Sequence, residues 1–186
     1  YIMPLFIRSL LLLCISIPSL ISADQNSSHQ NNQWIGSAIS AGSKFLLSNQ
    51  NPDGSWGTPQ QTKGLNIYAP IPGAHRAFRL AVTALSLSAL LEVQEDNADY
   101  QETITRGKKY LIENLTSLRR ATPMAIYNVW SHAYGIQALV RLHGHSTMRS
   151  EKEKLRSIIS QQISMLQKYE SIDGGWGYYD FNAQTK

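Results

Sequence analysis

The sequence predicts an all-α protein, and three observations carry that reading. In three segments the apolar residues recur at i, i+3, i+4 and i+7, the period of a helix with one buried stripe. Two other segments, 80–91 and 127–140, contain no charged residue, as expected of helices buried on several sides. No stretch of useful length alternates as a half-buried strand would. The five helices alternate, amphipathic then uncharged. Helical hairpins in a ring explain this order, with amphipathic helices outside and uncharged helices inside. A linear solenoid of helix pairs explains it as well, and composition does not separate the two.

The elements follow in order. Arg8 precedes an apolar run of about ten residues ending near Ile17, the size of a signal-peptide core, and the small residues Ser22 and Ala23 come next. Residues 1–23 are therefore expected to be a signal peptide and the protein to be exported, to a periplasm or outside the cell. Left uncleaved, the segment would anchor the chain. Pro4, Arg8 and Pro18 interrupt it, however, and a spanning helix needs about twenty apolar residues. Residues 24–33 carry no apolar side chain and are expected to form a disordered spacer before a domain spanning 34–186.

The first helix begins at Trp34, with Ile35, Ala38, Ile39, Gly42, Phe45 and Leu46 on its stripe; Pro52 and Gly54 end it. The third, about 101–116, shows Ile104, Gly107, Leu111 and Leu115 on one face. The fifth, about 151–169, places Leu155, Ile158, Ile159, Gln162, Leu166 and Tyr169 on one face and opens with five charges among Glu151 to Arg156. The uncharged second and fourth helices lie between them.

Composition excludes several classes. A chain of 186 residues suits one domain, and 42% hydrophobic residues exclude a wholly disordered chain. The net charge of +4 is scattered, which argues against a nucleic-acid partner. The single cysteine, Cys14, falls in the export segment, so neither a disulfide framework nor a thiolate zinc cluster is expected. No cofactor is expected.

A repeat runs through the chain. Asp53-Gly54-Ser55-Trp56-Gly57 returns as Asp173-Gly174-Gly175-Trp176-Gly177, each behind an amphipathic helix, and Arg106-Gly107-Lys108-Lys109-Tyr110-Leu111 echoes the helix half alone. Glycine permits the sharp exit, Asp bonds the turn, and Trp folds back over it with its N–H on a nearby acceptor. Gln50 can tie the turn to the next repeat. Trp56 and Trp176 are thus read as stability clasps rather than ligand contacts, each costing about 3–5 kcal/mol if truncated to Ala.

Gly42-x-x-Phe45-Leu46-x-x-x-Gln50-x-x-x-Gly54-x-Trp56 resembles the QW repeat of squalene–hopene and oxidosqualene cyclases, with Ala41 where a basic residue is usual. The second copy keeps Gly174-x-Trp176, with Gln167 three residues further back than the pattern asks. The resemblance covers about 34–186. It implies a partial α/α toroid, a fold shared with protein prenyltransferase β-subunits and complement-type thioester domains. Such toroids use more hairpins, so the chain is expected to be an N-terminal fragment of a longer ring. The implied function is to bind or convert an isoprenoid-like hydrophobic molecule. Catalysis is left open, because the Asp-x-Asp-Asp motif of cyclases is absent and Asp96-Asn97-Ala98-Asp99 does not replace it. The cysteines of prenyltransferase zinc sites and of thioesters also lack counterparts. The alternative is a non-catalytic scaffold for an unknown protein partner. A polysaccharide-active toroid would need a pair of carboxylates, which the sequence does not show.

Two clusters are candidates for a site. Tyr127, Trp130 and Tyr134 lie at i, i+3 and i+7 on the fourth helix and would line an aromatic pocket suited to a cation or an apolar ligand, or else pack as core. His132, on another face, reads as a core histidine. His75 and Arg76, with Arg79, stand where the second helix starts and would bind an anionic head group, or else edge a solvated loop. Asp180, beside Tyr178 and Tyr179, is the candidate general acid, with turn capping as its other reading. Trp130 is expected to border the largest concave pocket, next to the Asp180 turn, with His75 or Arg76 at the rim.

Overall fold

Helix signals and stops in the sequence resolve into five α-helices in the computed structural model, which describes residues 18–58, 74–95, 97–120 and 122–180, with side chains from residue 32 onward. They are α1 (Pro18–Ser48), α2 (Ala74–Val93), α3 (Ala98–Leu115), α4 (Asn128–His145) and α5 (Arg149–Lys168). Among the described residues the fold is all-α, and β-pairing is confined to one antiparallel bridge, Ala125 with Tyr179. The candidate signal core, residues 10–17, lies outside the described residues. No described helix is long and apolar enough to cross a membrane.

The segment 24–33, expected to be a spacer, is helical within α1. It is polar, but between Pro18 and Gly36 it has neither Pro nor Gly to break a helix already nucleated downstream. α1 stops where side chains satisfy its last carbonyls: Asn49 Nδ2 donates to Phe45 O at 2.9 Å and Ser48 Oγ to Lys44 O at 2.8 Å. α2 ends with Gln94 at φ +53, a left-handed exit made without glycine. Asn97 caps α3 by accepting from Tyr100 N at 2.9 Å, and Asp99 in the first turn complements the helix dipole.

The chain divides into two units, Tyr1–Gly42 and Ser43–Lys186. In the first, the described part is residues 18–42 of α1, with Trp34, Ile35 and Ile39 exposed. In the second, α2 packs most extensively on α4, α4 on α5, and α3 on α2. Leu80, Ala84, Leu87, Leu111, Leu115, Leu139 and Leu155 form the centre of the core, each fully buried or nearly so. Burying each leucine contributes roughly 1.5–3 kcal/mol. The uncharged helices α2 and α4 supply much of this core, and the amphipathic α3 and α5 contribute single stripes to it. Gly135 lets α4 approach α3: a Cβ there would stand 2.6 Å from a Leu115 methyl. On α1 the expected stripe is not buried as a whole. Phe45 is 62% exposed, and only Leu46 and Leu47 reach a core, that of Trp56, Leu90 and Tyr100.

Candidate functional site

The two Asp-Gly-x-Trp-Gly turns share one backbone plan. In the first, Asn51 N donates to Ser55 O at 2.9 Å and Gly54 N to Asn51 O at 2.9 Å. In the second, Ser171 N donates to Gly175 O and Gly174 N to Ser171 O, both at 3.0 Å. Gly54 and Gly174 take φ of +88 and +91, open to glycine and strained for other residues. Each indole N–H then reaches back ten residues: Trp56 Nε1 to Leu46 O at 2.8 Å, Trp176 Nε1 to Leu166 O at 2.7 Å. Asp53 accepts from Ser55 Oγ at 2.7 Å and pairs with Arg79 at 3.0 Å. Burial alone would raise its carboxyl, but the Ser55 hydrogen bonds and the Arg79 charge hold it below the usual value. Asp173 is lowered by its bond from the Ser171 hydroxyl.

What covers the two turns differs. Trp56 is 2% exposed and lies under α3, so close that a Cβ on Gly107 would stand 2.8 Å from its ring. Gln50 Nε2 ties the turn to α3 through Thr103 O at 2.9 Å, and Arg106 Nη2 reaches Asn51 O at 2.8 Å. Trp176 is 49% exposed, and open space surrounds both Gly174 and Gly175. In this register Glu170, not Gln167, occupies the place of Gln50.

The aromatic residues form a continuous series. Phe78 meets Tyr127 at 5.3 Å between ring centres, Tyr127 meets Tyr178 at 5.7 Å, Tyr178 meets Trp130 at 5.7 Å, and Trp130 stacks on Tyr134 at 6.0 Å. Tyr127, Trp130 and Tyr134 are thus brought together beside the 178–180 turn. Tyr127 is buried, and its hydroxyl bonds that of Tyr179. Of the candidate residues, Trp130 alone lines the adjoining apolar hollow of about 240 Å³, with Val129, Ala133, Leu166 and Trp176. Its buried indole N–H meets no acceptor among the described residues. Contrary to the sequence reading, which placed Trp130 at the largest pocket, this hollow is not the largest. A polar one of about 410 Å³ lies at the far ends of α2 and α4, lined in part by Glu95, Lys108 and Glu151. There Lys108 Nζ bonds Glu151 at 2.6 Å, and with Ser146 it holds that carboxyl below its usual value.

The other candidates lie apart from Trp130. Arg76 donates to Ser117 Oγ at 2.7 Å and turns to the end of α3, so it does not stand at the rim of the hollow. His75 is half-buried at the start of α2. Asp180 is buried, with its N–H on Met124 O at 2.7 Å and its carboxylate 3.8 Å from Arg120. That engagement favours its turn-anchoring reading over that of a general acid.

His132, read from the sequence as a core histidine, is buried, and its partners are what the sequence did not show. His132 Nδ1 lies 2.7 Å from Gln162 Oε1 and its Nε2 lies 3.2 Å from Asn128 Nδ2. A neutral imidazole with the proton on Nδ1 satisfies both contacts. Burial lowers its pKa by penalising the cation, the Gln162 bond opposes this, and the Arg119 charge adds to the lowering. The available signal was Gln162, a lone amide within an apolar stripe.

No family model, no curated protein and no solved structure matches the chain.

Proposed function

We propose that the chain is an exported, non-catalytic interaction scaffold of the squalene-cyclase-like toroid kind, which binds helical segments on its Trp130–Trp176 edge. The observation that carries this reading is the unequal cover of two matching turns. α3 seals Trp56, whereas Trp176 leaves half its surface open beside an apolar hollow. Exposed Tyr178 and Met124 extend that edge, and a cluster of exposed aromatic side chains is the kind of surface a protein partner buries. Asp180 and Arg76 are engaged in anchoring contacts, which supports a scaffold over a reaction. The test is a titration with a peptide of the α3 sequence, residues 98–115, which contains no tryptophan, read by the protein's own tryptophan fluorescence. Saturable binding that Trp176→Ala abolishes supports the proposal. No response up to roughly millimolar peptide, the weakest affinity of practical interest, overturns it.

The apolar lining of the hollow favours a second reading, in which Trp130 and Trp176 hold an isoprenoid-like molecule. Farnesol in place of the peptide separates the two: it would bind and the peptide would not.

A further inference from the structure

We infer that the polar hollow between α2, α3, α4 and the start of α5 is a second binding site, independent of the Trp130–Trp176 edge, and that it takes a small alkylammonium ion with one positive charge. Every residue lining it falls between Leu91 and Glu151, within the single unit Ser43–Lys186. Its volume of about 410 Å³ is that of a small-molecule pocket.

The lining selects the ligand. Leu91, Ile104 and Leu142 supply an apolar wall. Three side chains that carry charge at neutral pH border it, Glu95, Lys108 and Glu151, and two of them cancel. Lys108 Nζ donates to Glu151 Oε1 at 2.6 Å, and Ser146 Oγ donates to Glu151 Oε2 at 2.6 Å. Glu95 is left over. Its Oε2 accepts from the neutral Asn97 Nδ2 at 3.2 Å, and no cationic side chain pairs with it among the described residues. Gln101 Nε2 donates to Glu95 O at 3.2 Å and fixes the backbone from which this half-buried carboxylate meets the hollow. The last turns of α2 and α4 border the hollow too, through Leu91 and Gln94 and through Leu142 and His145, and a helix carries its negative dipole end there. The positive end of α5 is answered by Glu151 in its first turn. The unbalanced charge is therefore negative and single. An ammonium on an aliphatic chain meets both demands: the charge bonds Glu95 and the chain covers the apolar wall. An anion is repelled, and the second charge of a diamine falls on the apolar wall or beside Lys108.

Titration of the isotope-labelled full chain with n-pentylamine near neutral pH, read by amide chemical shifts, tests this. Binding is expected at a Kd of roughly 1 mM, the range of a ligand with so few atoms, with shifts centred on 91–95, 101–108 and 142–151. Pentanoate, of equal length and opposite charge, leaves these segments unchanged, and cadaverine, the diamine of equal length, binds more weakly than pentylamine. Glu95→Gln weakens pentylamine binding about tenfold or more, as the loss of a hydrogen bond to a charged group does. Glu102→Gln, an exposed carboxylate of α3 outside the hollow, binds like the parent. Lys108→Gln frees Glu151, and cadaverine then overtakes pentylamine. Helix content by circular dichroism shows that each variant is folded. Nα-acetyl-lysine methylamide identifies the source of the ammonium: binding equal to that of pentylamine assigns it to a lysine side chain, weaker binding to a free amine. The inference is overturned if these segments do not respond up to roughly 50 mM pentylamine. Pentylamine binding that Glu95→Gln leaves intact, or pentanoate binding of equal strength, overturns it as well. None of these results bears on the Trp130–Trp176 edge, so the two sites fail separately.

Discussion

The turn at Trp56 and the turn at Trp176 begin with nearly the same residues and make the same backbone bonds, yet one is interior and the other is edge. Both close on themselves through a glycine at positive φ and an indole bonded ten residues back. These bonds are local and form wherever the motif occurs. What α3 adds to the first turn is non-local: a glycine against the ring, a carbonyl for Gln50 and an arginine for Asn51. The motif therefore fixes the shape of a turn, and the neighbouring helix decides how much that turn contributes to stability.

The sharpest way to break this comparison is to remove each indole. Trp56→Ala should cost about 3–5 kcal/mol, because a fully buried ring is lost and a cavity left. Trp176→Ala should cost about 1–2 kcal/mol, since half of its surface is already in water. Equal shifts in thermal melts of the two variants would contradict the difference in cover.

Next come the glycines. Gly107→Ala drives a methyl against the Trp56 ring and should destabilise by about 1–3 kcal/mol. Gly42→Ala meets open space and should stabilise α1 by about 0.5–1 kcal/mol through helix propensity. Urea unfolding of the pair gives the two signs. Gln50→Ala, which removes the donor shared by Gly54 O and Thr103 O, should cost about 1–2 kcal/mol by the same measurement.

The smallest expected effect concerns pH. His132 is held neutral, with a folded-state pKa below its ordinary value. As pH falls through about 6.5, the unfolded chain takes up this proton and the folded chain does not, so stability is full above that pH and falls below it until the folded pKa is passed. The melting temperature should drop between pH 7.5 and 5.5, and His132→Gln should flatten that part of the curve. A parent and variant with parallel profiles would show that the imidazole contributes nothing to the slope.

Much of the fold was legible because helical period and charge depletion are local properties of the chain. All five helices and their alternation follow from residues such as Leu155, Ile158 and Leu166, or from the charge-free 127–140. The two clasps were legible for the same reason. The 24–33 segment was misread because polarity alone does not break a helix. Trp130 and Tyr134 stack along α4 and Tyr127 stands at its N-cap, but spacing along a helix does not show whether that side meets core, turn or water. Tyr127 is buried in the core, Trp130 lines a hollow and Tyr134 stacks on its neighbour. Arg76 and Asp180 found partners on α3 and next to Arg120, choices made by tertiary packing that spacing does not record.

The bridge between Ala125 and Tyr179, flanked by Ile126 N on Tyr178 O at 3.0 Å and Asp180 N on Met124 O at 2.7 Å, bears on the order of assembly. It joins the lead-in of α4 to the stretch after α5, so it closes only once that hairpin has folded and its long loop has lost its freedom. The helices can form early from neighbours in sequence; this strap cannot. The amides of Ile126 and Asp180 should therefore be among the last to gain protection from hydrogen exchange during refolding, and among the first to lose it when α5 lifts away.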